Sequence, residues 1–310
     1  MRFTMFQRHS LKTRVTLFTL VIILISIWSL AFYTERILRR DIEQLLGEQQ
    51  LSTAKLVAIE IDHEARDRLE ALEMVAAGLS PAVLANPAAL QKSLEGRPLF
   101  QALFNGGAFI TGPDGVALAS VPLAADRVGS SFRERDYIAE TLSAGKATIG
   151  RPIMGMKLKV PVLGMAAPIR NAQGKVIGAV AGITNLTKLN FLDHMMATPY
   201  GRTGGYVLVA PQYRMVITAT DRSRSLESLP AAGINRLIDL HFHADTKTVV
   251  GVNPKGVEVL TSVGRIPLAG WHVVVALPTE EAFACHSAGR GRSIDRRLQS
   301  SAGRTGAAAR

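Results

Sequence analysis

Arg133, Arg135 and Tyr137 fall within five residues of one another in the stretch SSFRERDYI, residues 130–138. A guanidinium presents paired N–H donors that match the two oxygens of a carboxylate. A tyrosine ring can cover the apolar part of a small molecule while lending it a hydroxyl. The cluster therefore offers anion recognition. Glu134 and Asp136 alternate with the arginines, so the competing reading is a solvated face on which these charges meet water. Elsewhere the chemistry-bearing types converge less. His241-Phe242-His243, flanked by Asp239 and Asp245, has the donor types of a metal site, but two histidines two apart are common on surfaces and no metal is expected. Ser143-Ala144-Gly145-Lys146 lacks the glycine spacing of a phosphate loop, and neither G-x-S-x-G nor H-E-x-x-H occurs. No catalytic constellation is legible, no cofactor is expected, and the chain reads as a non-enzyme. The competing classes are an anchored hydrolase, which would need His241 or His243 paired with Ser or Asp in a cleft, and a scaffold that binds nothing.

The elements that must position these residues follow from local pattern. Ser131 to Glu134 reads S-F-R-E, a capping box that predicts a helix opening near Phe132, and Gly145 is placed to stop it. Asn105 to Ser120 reads as two strands around Gly-Pro-Asp-Gly, and Val160–Arg170 and Lys175–Ile183 as two more joined by Asn-Ala-Gln-Gly. Order and spacing then recur: Gly107–Pro113 resembles Gly205–Pro211 about 98 residues on, and the 166–178 region resembles one about 97 residues further. Two tandem antiparallel-sheet modules of an α+β fold are expected, with a boundary near Thr198–Gly205.

Ahead of them lies VTLFTLVIILISIWSLAFY, residues 15–33, without one charge. As a helix it would be roughly 28 Å long, close to the hydrocarbon thickness of a bilayer. Arg2, Arg8, Lys12 and Arg14 precede it, so residues 1–14 are expected in the cytoplasm and the rest beyond the membrane. The long apolar run without a small-residue cleavage site reads as an uncleaved anchor. Residues 34–80 form a long helical pattern with Ala54, Ala58, Ile61, Ala65, Leu69, Leu72, Ala76 and Leu79 on one seam. That seam fits either packing on its own domain or a dimer interface.

The net charge of +11 sits at the chain ends: four basic residues before the span, and six arginines against one aspartate after Cys285. The body between is nearly balanced, which argues against nucleic-acid binding. Cys285 is the one cysteine, so no internal disulfide is possible.

Anchor, long helix and tandem sheets together resemble the double Cache sensor, a PAS-like extracytoplasmic domain of bacterial transmembrane receptors. SSFRERDYIAETLSAGKATIGRPI, then VPVLGMAAPIRNAQGKVIGAVAGITNLTKL and LAGWHVVVALPTEEAF, carry the resemblance across residues 15–284. It implies a fold of N-terminal transmembrane helix, stalk helix and connection (34–95), membrane-distal module (96–198) and membrane-proximal module (199–284). It implies a periplasmic small-molecule sensor on a single-pass inner-membrane anchor, signalling inward as a homodimer through its stalk helices. In the family the distal module holds the ligand. Arg135 and Tyr137 match its recurring positions best, with Arg133 beside them. Arg151 and Met154 fall in the segment that crosses the pocket mouth in relatives. The family's amino-acid binders carry an aspartate near the end of the last distal strand. Here the chain reads Gly182-Ile183-Thr184-Asn185, which favours an organic acid or other small anion and leaves Asn185 as a neutral contact. The wording most resembles sensors joined to diguanylate cyclases, the alternatives being histidine kinases and chemoreceptors. Residues 285–310, rich in Arg, Gly, Ser and Ala, are expected to be disordered. Their abrupt composition fits a truncated gene or shifted reading frame that has replaced the output domain.

Overall fold

The computed structural model describes residues 11–193, 196, 199–243 and 248–283, so the expectations for the basic tail and the first ten residues lie outside the described residues. Helix α1, Leu11–Ala77, runs 67 residues without interruption. Its segment Val15–Thr34 has a mean hydropathy of 2.5, and among the described residues it is the one helix long and apolar enough to cross a bilayer. Chain contacts separate a unit ending at Gln49 from one that begins at Gln50.

From Gln50 on, α1 turns a small-residue face inward. Ala54, Ala58, Ile61, Ala65, Leu72 and Ala76 are all buried in one core with strand residues of both modules. The seam legible in the sequence is thus the unit's own core face. Three short helices follow: α2 (Pro81–Leu84), α3 (Pro87–Glu95) and α4 (Pro98–Leu103), each opening on a proline that its first turn tolerates. Asn86 caps α3, its Oδ1 accepting from the Ala89 amide at 3.1 Å.

The first module then adds β1 (Ala108–Thr111), β2 (Ala117–Val121), α5 (Asp136–Ala144), β3 (Thr148–Ile149), β4 (Ile153–Met154), β5 (Pro161–Arg170) and β6 (Val176–Asn185). Its six antiparallel strands run β2-β1-β6-β5-β3, with β4 also on β5. The second adds β7 (Gly205–Ala210), β8 (Met215–Ala219), α6 (Arg236–His243), β9 (Val249–Val252), β10 (Glu258–Ile266), β11 (Trp271–Pro278) and α7 (Thr279–Ala282). Its order is β8-β7-β11-β10-β9, the same wiring, with the last strand inserted beside the first. The repeat extends to register. Phe109 pairs with Ala181 as Val207 pairs with Val274, and Gly164 pairs with Ile183 as Thr261 pairs with Ala276.

Alternation along each strand gives each sheet two faces. In the first module Ile110, Leu163, Met165 and Val180 join the α1 core, while Phe109, Val162, Ala181 and Ile183 pack with Tyr137 and Ile138 of α5. One expectation is corrected. Helix α5 opens at Asp136 rather than near Phe132. Ser131 forms an antiparallel bridge with Val116, and Phe132 lies against Phe109 with ring centroids 4.5 Å apart, so the residues proposed as a capping box are held by strand-like pairing and ring packing instead. Gly145 does end the helix, in the left-handed region at φ +67°.

Two contacts fix α1 on the second sheet. Gln50 Nε2 donates to the carbonyls of Leu260 (3.0 Å) and Val275 (2.9 Å). Gly264 of β10 meets the helix backbone so closely that a Cβ there would sit 2.1 Å from the Ala54 carbonyl oxygen. Gly264→Ala should therefore force helix and sheet apart and cost about 1–3 kcal/mol, read as a lower thermal midpoint.

His241 is buried on the outer face of the same sheet. Its Nε2 lies 2.7 Å from Thr261 Oγ1, whose own proton goes to the Val249 carbonyl at 3.0 Å, so the imidazole is the donor. Burial, assisted by nearby His272, pushes its pKa down to about 4. The neutral form is favoured on folding, so this stability is fully present above pH ~6.5 and is lost as pH falls from there towards 4. The loss should be on the order of 3 kcal/mol. Denaturant unfolding at pH 7.5 and 4.5 should show it, and His241→Gln should flatten the difference.

Candidate functional site

On the outer face of the first sheet, α5 and the segment 153–158 enclose a cavity of about 30 Å³. Its floor is Phe109, Val162 and Ile183; its wall is Phe132, Arg135 and Tyr137; its mouth is closed by Ile153, Gly155, Met156, Lys157 and Leu158. Arg127 reaches it from the loop after β2.

Tyr137 lies flat on the sheet because position 164 is glycine: a Cβ there would come within 2.4 Å of the ring. Burial raises the tyrosine pKa well above its ordinary value, with Arg135 and Arg127 opposing the shift, so the hydroxyl stays protonated and able to donate. Arg135 stands just before the first turn of α5, half-buried, and its guanidinium makes no hydrogen bond or ion pair among the described residues.

Arg127 is the least expected member. It is only 2% exposed. Its guanidinium donates to the Gly106 carbonyl and to Ser120 Oγ (3.3 Å), and stands 5.7 Å from the centre of the Phe109 ring. No carboxylate pairs with it among the described residues. Desolvation lowers its pKa, which is the mark of a buried cation without a counter-ion. Arg127 has no sequence signal of its own, because it sits in a turn-rich loop without periodicity.

The other candidates lie around the cavity rather than in its lining. Arg133 is exposed, its backbone packed over Gly115. The Arg151 amide donates to Asp136 Oδ2 at 2.8 Å, and its side chain extends into solvent beside that carboxylate. Met154 is 53% exposed, while Ile153 and Met156 on either side face inward. Asn185 is buried, but its Oδ1 accepts from the amide and hydroxyl of Thr187, which closes the turn after β6. The side chain that β6 delivers to the cavity is Ile183, two residues earlier. Among the described residues no carboxylate lines the cavity.

Across the mouth, Lys157 Nζ pairs with Asp126 Oδ2 at 3.0 Å. The aspartate is 88% exposed, so this tie is worth little, ~0–1 kcal/mol. A larger groove of about 630 Å³ runs along α1 between Arg66, Glu70, Glu73, Lys146 and Arg170. It mixes both charges and shows none of the convergence seen at Tyr137.

No curated protein matches the chain. Among solved structures, the ligand-binding domain of the Pseudomonas aeruginosa PAO1 amino acid chemoreceptor PctB, in complex with L-Arg, superposes with TM-score 0.58 at 20% identity, covering 77% of this chain and 97% of that one. That of the Pseudomonas fluorescens chemoreceptor CtaA with L-isoleucine gives TM-score 0.59 at 18% identity, covering 81% and 98%. The ligand-binding domain of Mlp24 with asparagine gives 0.58 at 15%, covering 80% and 98%. At these identities the likeness establishes the fold. The family model described as Cache domain matches residues 34–284, most of the 310-residue chain, and the chain therefore belongs to the Cache-domain family.

Proposed function

We propose that this chain is the ligand-binding sensor of a bacterial transmembrane receptor, anchored in the inner membrane by its single apolar span with the Cache modules in the periplasm. Its ligand is a small carboxylate or other small anion, taken by the cavity of the first module. The observation that carries this reading is Arg127: a buried guanidinium without a counter-ion among the described residues, beside a second guanidinium, Arg135, that makes no hydrogen bond or ion pair among them. An anion between them would supply the missing charge, accept from Tyr137, and leave its apolar part on Phe109 and Ile183. The solved relatives named above hold amino acids. A ligand ammonium group would find no carboxylate in this lining, which favours an organic acid over an α-amino acid.

The cavity is the size of about one water molecule. A carboxylate therefore enters by displacing Met156, Lys157 and Leu158, beyond the β4–β5 pairing, and that displacement is the signal. The relatives favour a chemoreceptor-type output. The diguanylate cyclase expected from the sequence wording has no counterpart among them.

A homodimer through the stalk fits one feature of α1. Leu56, Ile59 and Met74 are 61%, 66% and 69% exposed, and helical geometry puts them on one stripe opposite the buried Ala54, Ala58 and Leu72. If copies pair through this stripe, Ile59→Glu should convert dimer to monomer in light scattering of the solubilised chain, whereas an unchanged mass would rule the stripe out.

Binding is tested by calorimetry on the full chain in lipid nanodiscs, titrated with mono- and dicarboxylates and with amino acids. At least one carboxylate should bind, and Arg135→Ala should weaken it 10- to 100-fold, as expected for a charge-assisted pair. A panel in which nothing binds, or a variant with unchanged affinity, would remove the proposed pocket.

A further inference from the structure

The duplicated wiring places a second cavity at the equivalent position of the second module. Between α6 and the outer face of the sheet lies a space of about 110 Å³. Val207, Thr261 and Ala276 contribute to it from β7, β10 and β11. By register these are the counterparts of Phe109, Gly164 and Ile183 around the first cavity. His241 takes the place of Tyr137, lying over Thr261 as the tyrosine lies over Gly164. The size difference has a plain cause: valine and alanine stand where the first module has phenylalanine and isoleucine.

The lining also differs in charge. Val209, Leu229, Leu237, Phe242 and Val274 make it predominantly apolar. Among the described residues the one cation in the lining, Arg224, is already held by Glu227 in a two-point ion pair. The Oδ1 of Asn253 accepts from the amides of Lys255 and Val257. The His241 Nε2 proton is committed to Thr261, and desolvation keeps the ring uncharged at neutral pH. An anion would meet no free cation here, and any ion would lose its hydration without replacement. Apolar cavities of about 150 Å³ accept benzene.

We infer that the second module holds a distinct binding site for a small, uncharged, mostly apolar molecule no larger than a single aromatic ring. It gives the receptor two inputs on one helix: an anion at the first sheet and an apolar molecule at the second.

The test is ¹⁹F NMR of fluorobenzene with the full chain in lipid nanodiscs, against empty nanodiscs to account for partition into lipid. Wild type should show saturable one-to-one binding absent from the control. Ala276→Ile, which restores the first module's side chain, should weaken it at least tenfold. Val207→Leu fills the same space from another strand and should do likewise, with circular dichroism confirming that each variant is folded. Arg135→Ala should leave fluorobenzene binding unchanged, so that failure of the anion site and of this one are told apart. Binding indistinguishable from empty nanodiscs, or unaltered in a folded cavity-filling variant, would overturn the inference.

Discussion

Everything in the folded unit depends on how closely α1 can lie against two sheets at once. That approach requires small groups on both sides: Ala54, Ala58, Ala65 and Ala76 on the helix, and Gly264 on β10, where the helix backbone occupies the space of a missing side chain. The helix then acts as the shared inner wall of both modules, and neither sheet could bury its inner face without it. Polar ties set the register along the helix: Gln50 bridges two carbonyls of β10 and β11, and Asp62 accepts from the Leu268 amide at 2.9 Å. Dispersion and apolar burial hold helix and sheets together, while these few hydrogen bonds, each expensive to lose once buried, decide where along the helix the sheets sit.

With the inner faces committed to α1, the outer faces are left to diverge. The two modules share strand order and pairing register, yet one outer face carries two guanidiniums and a tyrosine and the other is apolar around a neutral histidine. The contrast is an electrostatic one. Burying Arg127 without a carboxylate among the described residues costs stability that its hydrogen bonds to Gly106 and Ser120 offset only in part. Tyr137 and His241 occupy corresponding places, and in both cases burial fixes the neutral form, by raising one pKa and lowering the other.

What the sequence made legible is what local physics determines. The strands read at Val160–Arg170 and Lys175–Ile183 form as Pro161–Arg170 and Val176–Asn185, and the turn at Asn171 between them and the glycine stop at 145 stand as read. The α1 seam was legible as a stripe, but its partner was not, since alanine spacing is the same for a core face and a dimer face. The S-F-R-E capping signal was overridden by a non-local bridge from Ser131 to Val116, which no local rule contains. Arg127 was invisible because a loop has no period, and its burial depends on Gly106 and Phe109, some twenty residues away. Near the end of β6, a shift of two residues separates Asn185, turned to Thr187, from Ile183, turned inward. Alternation keeps both on one face but does not say where the cavity ends.

The same geometry explains how binding on an outer face could reach α1. Strands β5 and β6 are one side chain thick: Val162 and Ile183 face the cavity, while Leu163, Met165 and Val180 on the reverse pack against the helix core. A close-packed sheet cannot absorb a displacement on one side by compressing, so it passes the displacement on. The mouth segment is anchored at one end, where Ile153 and Met154 pair with β5 and the Gly155 amide donates to the Val160 carbonyl at 2.9 Å, while Lys157 is tied across the opening by its exposed ion pair with Asp126. Full switching between two arrangements requires about 5.5 kcal/mol of differential affinity. On the proposed reading, a charge-assisted contact of an anion to each of Arg127 and Arg135 would supply roughly 1.5–3 kcal/mol apiece, and relief of a buried unpaired charge would add to it. For the anion sensor proposed above, two such arginines come close to that figure, and one alone would fall short.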